Sequence, residues 1–103
     1  LYVANWPAIR HEVWRTLLQA RAIENQSYCI GVNRTGKDGS GLEYSGDSCM
    51  IDARGNAKFM GSKEQVTSFE ISLDELQKFR VKFPVLNDRD EFQMGAANSD
   101  SPI

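Results

Sequence analysis

Leu1-Tyr2-Val3-Ala4, the turn Asn5-Trp6-Pro7, a helical period from Ala8 to about Asn25, and Tyr28-Cys29-Ile30-Gly31-Val32 together decide the fold. Leu1–Ala4 is a short apolar run, read as a core strand that ends at the Asn5-Trp6-Pro7 turn. Pro7 suits the first turn of a helix, where its missing N–H costs nothing. Along the helix Ile9, Val13, Leu17 and Ala20 share one stripe, and Trp14, Leu18 and Ala22 widen it. So broad an apolar surface calls for a sheet below the helix and another helix beside it. Tyr28–Val32 is apolar throughout instead of alternating, the pattern of a strand covered on both faces. Strand, long helix and buried strand in succession predict a layered α/β structure.

Working outward, Gly36 to Gly41 is a loop by composition. Ser48–Asp52 and Ala57–Gly61 read as two strands joined by the turn Ala53-Arg54-Gly55-Asn56, a β-hairpin. Val66–Ile71 alternates, with Phe69 and Ile71 on one face and Ser68 and Glu70 on the other, and predicts one more strand. Ser72-Leu73-Asp74-Glu75 has the spacing of a capping box, so a helix should begin at Leu73. Leu76, Phe79 and Phe83 give that helix its apolar stripe, and Pro84 stops it. The expectation is one α/β domain with a mixed sheet over residues 1–92 and a flexible tail over 93–103, where Ala, Asn, Ser, Asp, Gly and Pro take over.

The 103 residues fit one domain, and 41% hydrophobic with 25% charged residues is the balance of a soluble globular chain. A net charge of −2 gives no basic face for nucleic acid. No apolar run is long enough to cross a bilayer, so no membrane partner is expected. The absence of a charged-then-apolar leader points to a cytoplasmic protein. A native chain rarely opens in the middle of a strand, so Leu1-Tyr2-Val3-Ala4 also suggests a fragment or processed chain. Cys29 and Cys49 form no C-x-x-C pair and fit two buried free thiols of a cytosolic protein.

The residues offer few chemical candidates. A nucleophile needs a base in reach and donors for an oxyanion. Both cysteines lie in strand-like runs without a strand-to-helix elbow, so neither reads as a nucleophile and no catalytic residue is assigned. His11, the one histidine, falls at the surface on the first turn of the long helix, and no metal-ligand cluster or cofactor is expected. Gly36, Gly39 and Gly41 do not lead a strand into a helix, which removes the basis for a phosphate loop. Asn5, Trp6 and Arg10 remain as candidate substrate-binding residues, because α/β sheets commonly place ligands where a core strand gives way to a helix. The alternative is that Trp6 packs, Asn5 caps and Arg10 is solvated or ion-paired.

Several blocks stand in a telling order: Asn5-Trp6-Pro7, Ala20-Arg21-Ala22-Ile23-Glu24-Asn25-Gln26, Gly31-Val32-Asn33-Arg34, Gly46-Asp47-Ser48 with Asp52 and Gly55, and Glu70–Asp74 followed by Phe79–Pro84. Over roughly residues 2–92 the chain resembles the C-terminal portion of the nitrilase (carbon–nitrogen hydrolase) superfamily, most of all its omega-amidase branch. The resemblance implies a part of a four-layer αββα sandwich with mixed sheets. It implies amide hydrolysis by a Cys-Glu-Lys mechanism whose three residues all precede Leu1, so that this stretch alone is inactive and lacks its N-terminal half. The implied substrate is a small-molecule amide, the omega-amide of a 2-oxo acid. Asn5 and Trp6 would then line the pocket mouth, and Arg10 would pair bidentately with the substrate carboxylate. The 8–25 helix would carry the surface of a homo-oligomer, with Arg21, Glu24, Asn25 and Gln26 as interface or scaffold. Two other readings stand beside this one: a non-catalytic α/β scaffold that pairs with another chain, and a relative acting on another amide such as a carbamoyl compound. Uncovered apolar surface predicts association or poor solubility of the isolated chain.

Overall fold

The computed structural model describes residues 1–95. Strand β1 (Tyr2–Ala4) is followed by a 3₁₀ turn at Ala8–Arg10 and by helix α1 (His11–Glu24). Pro7 stands just outside this turn, and its carbonyl accepts the Arg10 N–H at 3.0 Å. Strands β2 (Cys29–Asn33), β3 (Thr35–Lys37), β4 (Glu43–Ser45), β5 (Cys49–Ile51) and β6 (Ala57–Phe59) follow, then helix α2 (Leu73–Lys82) and a 3₁₀ turn at Val85–Asp88. The sheet is mixed, as expected. Its order is β1-β2-β5-β6, with β1 parallel to β2 (Tyr2 opposite Gly31) and the remaining pairs antiparallel.

One face of this sheet carries α1, and the core lies between them. Trp14, Leu18 and Ala22 of the helix meet Cys29, Cys49 and Ile51 of the strands, all buried. Gly31 is glycine because a Cβ there would come within 2.7 Å of Leu18 Cδ1 and 2.9 Å of Trp14 Cζ2. The stripe of Ile9, Val13 and Leu17 is not covered; Ile9 is 87% exposed. The helix therefore has two apolar faces but only one partner among the described residues. The same holds for β2. Cys29, Gly31 and Asn33 face α1 and are buried, whereas Val32, on the opposite face, is exposed. Among the described residues β2 is covered on one face only, which leaves open the surface expected from its apolar run.

The stretch expected as a loop at Gly36–Gly41 is more regular than its composition suggests. Gly36 and Lys37 belong to β3 and the rest turns toward β4, making a second, two-stranded sheet with Thr35 opposite Ser45 and Lys37 opposite Glu43. The Asp38 carboxylate holds the turn, accepting from Ser40 N, Ser40 Oγ and Leu42 N through Oδ1 and from Tyr44 Oη through Oδ2. The Ser40 and Tyr44 hydrogen bonds pull its pKa down to about 2. The β5–β6 hairpin stands where it was expected, closed by Asp52 N–H to Asn56 O and by Gly55 at φ 90°.

No strand forms at Val66–Ile71, and Val66 is 99% exposed. Alternation alone does not make a strand; a ladder partner does, and among the described residues this stretch has none. Helix α2 does begin at Leu73, where Ser72 Oγ accepts the Glu75 N–H at 3.1 Å. Half of the expected capping box is replaced, since Ser72 N–H donates to Tyr28 Oη instead of a Glu75 carboxylate. The helix ends at Lys82 ahead of Pro84. Of the tail expected at 93–103, residues 96–103 lie outside the described residues.

Candidate functional site

Where β1 and β2 end together, at Ala4 and Asn33, three segments meet the sheet's end: Asn5-Trp6 after β1, Arg34 after β2, and Gly46-Asp47-Ser48 before β5. Asn33 joins them. Its Oδ1 accepts the Trp6 N–H at 2.7 Å, and its Nδ2 donates to Trp6 O at 3.0 Å and to Gly46 O at 2.9 Å. Ser48 Oγ accepts the Asn33 N–H at 2.9 Å and donates to Asn33 O at 3.2 Å. The carboxamide is buried, with the residue 7% exposed, and such a group persists in a core only when its hydrogen bonds are made.

The Gly46-Asp47-Ser48 turn is tied down residue by residue. Gly46 adopts φ 71°, and a Cβ there would fall 2.6 Å from Gly61 O. Asp47, at φ 54°, accepts the Trp14 indole N–H on its carbonyl at 2.8 Å and the Gly61 N–H on its carboxylate at 3.1 Å. Arg15 stands 3.4 Å from that carboxylate, with its guanidinium 4.1 Å from the Phe59 ring centre.

Of the sequence candidates, Trp6 and Arg10 are brought together. The Trp6 indole N–H donates to Arg10 O at 2.6 Å, and the Arg10 guanidinium lies 5.6 Å from the Trp6 ring centre. Trp6 also meets Trp14, ring centres 5.8 Å apart and planes tilted by 42°. Asn5 is exposed beside them. Beyond Asn33 opens a cleft of about 410 Å³, lined among others by Val32, Arg34, Ser48, Met60 and Lys63. Neither Asn5, Trp6 nor Arg10 lines it. Arg34 at its rim donates to Thr35 O and Lys37 O and stacks 4.5 Å from the Tyr44 ring centre.

Cys29 and Cys49 are buried free thiols facing α1. Burial pushes the Cys49 pKa up to about 11 and raises that of Cys29, the reverse of what a nucleophile needs. His11 opens α1, its Nδ1 3.1 Å from Ala8 O and its Nε2 3.0 Å from Glu12. Among the described residues no group of three or more His, Cys, Asp or Glu is placed to hold a metal ion. No described helix is long and apolar enough to cross a membrane. At the end of α1, Arg21 pairs with Glu24 at 2.9 Å, Asn25 Nδ2 donates to Arg21 O, and the buried Gln26 donates to Phe83 O. Sequence reading missed Asn33 as the joint. The available signal was a polar residue closing an apolar strand.

Residues 2–81 match the carbon-nitrogen hydrolase family. The chain is 48% identical over 94 residues to the omega-amidase YafV of Yersinia enterocolitica, covering 89% of this chain and 37% of that protein. It is 42% identical over 87 residues to the 2-oxoglutaramate amidase of Paenarthrobacter nicotinovorans, covering 84% of this chain and 29% of that one. Among solved structures, XC1258 of Xanthomonas campestris, a CN-hydrolase superfamily protein, superposes with a TM-score of 0.86 at 42% identity over 92% of this chain and 38% of its own. The chain thus spans 29–38% of the length of these relatives. A mixed sheet backed by one long helix, a family match over most of the length and this agreement in structure lead to one conclusion: the chain belongs to the carbon-nitrogen hydrolase family, its similarity lying on the omega-amidase branch.

Proposed function

We propose that the protein of which these residues form part hydrolyses the carbon–nitrogen bond of a small-molecule amide, the omega-amide of a 2-oxo acid. The observation that carries this is the 48% identity, over 89% of the chain, to a relative named omega-amidase. In the reaction a Cys thiolate attacks the amide carbonyl carbon. The tetrahedral adduct expels ammonia, whose nitrogen takes a proton from an acid group, and water then cleaves the thioester to release the acid and the thiol. The nucleophile, its Glu base and its Lys belong in this reading to residues before Leu1, in keeping with relatives more than twice as long as this chain. The 1–92 stretch is then the C-terminal portion of the hydrolase unit, a two-layer part of a four-layer sandwich.

Asn5, Trp6 and Arg10 form the pocket wall in this proposal. Arg10 is exposed, has no carboxylate within ion-pair distance among the described residues, and lies over an aromatic face. An arginine so placed suits a planar carboxylate, which a 2-oxo acid amide carries. The 8–25 helix offers the open Ile9, Val13 and Leu17 stripe to a second subunit.

The test is ammonia release by the native gene product from 2-oxo acid omega-amides and from carbamoyl compounds. Preference for the former, with a KM rise of about tenfold or more in Arg10→Ala, is expected for loss of a charged hydrogen-bonding partner. Preference for carbamoyl compounds would move the reading to another branch. A native product of about this chain's size that releases no ammonia would replace it with the scaffold reading.

A further inference from the structure

The parallel ladder between β1 and β2 ends at the pair Ala4–Asn33, yet two residues later Trp6 is still held to β2. Backbone no longer supplies the bonds there; a side chain does. A carboxamide has the donor and acceptor complement of a peptide group, so it can pair with both polar groups of one residue. Asn33 does this, accepting from Trp6 N–H and donating to Trp6 O. Its second amide hydrogen reaches Gly46 O, and Ser48 Oγ closes on its backbone from the other side. The constraint travels onward, because the Trp6 indole N–H in turn holds Arg10 O at 2.6 Å.

We propose that Asn33 is the positioning residue of the candidate site: its carboxamide sets Trp6, and through Trp6 the Arg10 backbone, against the Gly46-Asp47-Ser48 turn. This rests on the reading of residues 5–10 as pocket wall. The side chain is specific to the task. Aspartate has no donor for Trp6 O or Gly46 O, leucine has neither donor nor acceptor, and glutamine is a methylene too long. Loss of the carboxamide leaves the Trp6 N–H, Trp6 O and Gly46 O without their protein partner, and the bonds that hold Trp6 in place are gone.

The native gene product is compared with Asn33→Leu, Asn33→Asp and Trp6→Ala, with Ile51→Val as a core substitution opposite Cys29, at the other end of β2 from Asn33. In Asn33→Leu the Trp6 amide should exchange about tenfold faster, the factor of one ordinary hydrogen bond, while the β5 amides keep their rates. KM should rise about 10–100-fold with a smaller change in kcat, the scale of a misplaced binding group, and Ile51→Val should leave KM alone. Adding Asn33→Leu to Trp6→Ala should raise KM little further, since both act through one contact. Asn33→Asp, isosteric with the native side chain, carries the kinetic test if the leucine variant does not fold. Unchanged exchange at Trp6, or effects on KM that simply multiply, would overturn the proposal. Faster exchange with an unchanged KM would overturn it too, and would leave the pocket-wall reading standing if Trp6→Ala still raised KM. If Trp6→Ala also left KM unchanged, the pocket-wall reading would fall with it.

Discussion

Gly46 and Cys49, three positions apart, show how much a single residue decides at the end of this sheet. Gly46 sits at φ 71° with no room for a Cβ, because the Gly61 carbonyl would be 2.6 Å away. Backbone cannot yield as a flexible side chain can. Gly46→Ala is therefore expected to destabilise the chain by about 2–4 kcal/mol, the sum of a left-handed conformation and a forced shift, read from urea unfolding. A change under half of that would mean the turn relaxes freely. Cys49 is governed by burial. The folded thiol holds its proton up to about 11, against 9.0 for the free group. The folded chain thus binds a proton that the unfolded chain has released, and stability should fall as pH climbs from 9 through about 11. At pH 8 a thiol reagent should modify Cys29 and Cys49 only at the rate of unfolding, and rapid labelling of the native chain would contradict this.

At the scale of elements, the two helices hold their places by different means. Helix α1 is fixed by burial of Trp14, Leu18 and Ala22 against the sheet. Helix α2 has no fully buried residue. It depends on its cap and on a few ties: Ser72 to Tyr28, Phe83 O to Gln26, and Arg80 Nε to Gln26 O at 2.8 Å. Ser72→Ala should cost about 1 kcal/mol and loosen amide protection over 73–76 while leaving α1 unchanged. Loss of protection across both helices would mean that they unfold as one unit. The capping spacing was legible in the sequence because a cap is a local arrangement of four residues. The absent strand at 66–71 was not legible, since its alternating pattern says nothing about whether a neighbouring edge is free to pair.

The described residues form a slab, 46 × 45 × 19 Å, with a radius of gyration of 17.7 Å. A compact chain of this length would have about 13 Å. One helix layer on one sheet gives the short dimension and leaves two apolar surfaces open: the Ile9, Val13 and Leu17 stripe of α1, and Val3 with Val32 on the far face of the sheet. Scattered exposed apolar residues are ordinary, but aligned ones drive association. Light scattering of the 103-residue chain should show concentration-dependent self-association. Val13→Lys with Leu17→Glu should weaken it several-fold without altering the core. A monodisperse chain that melts cooperatively as a monomer would show that these faces need no cover.

By itself the sequence determined the element order over α1, β2, the β5–β6 hairpin and α2, the mixed α/β class and the family resemblance. These depend on periodicity, turn residues and capping, all of which act over a few neighbouring positions. It also marked the Asn5, Trp6 and Arg10 segment as a strand-to-helix junction. Only the tertiary structure decided which stripe of α1 is buried, that the Gly36–Gly41 stretch closes a second sheet, and that Asn33 binds Trp6 and Gly46. Those outcomes depend on which groups meet across the fold: Asn33 and Trp6 are 27 residues apart in the chain and 2.7 Å apart in space. A local pattern carries no record of such a meeting, because any polar side chain at the end of a strand looks the same until its partner arrives.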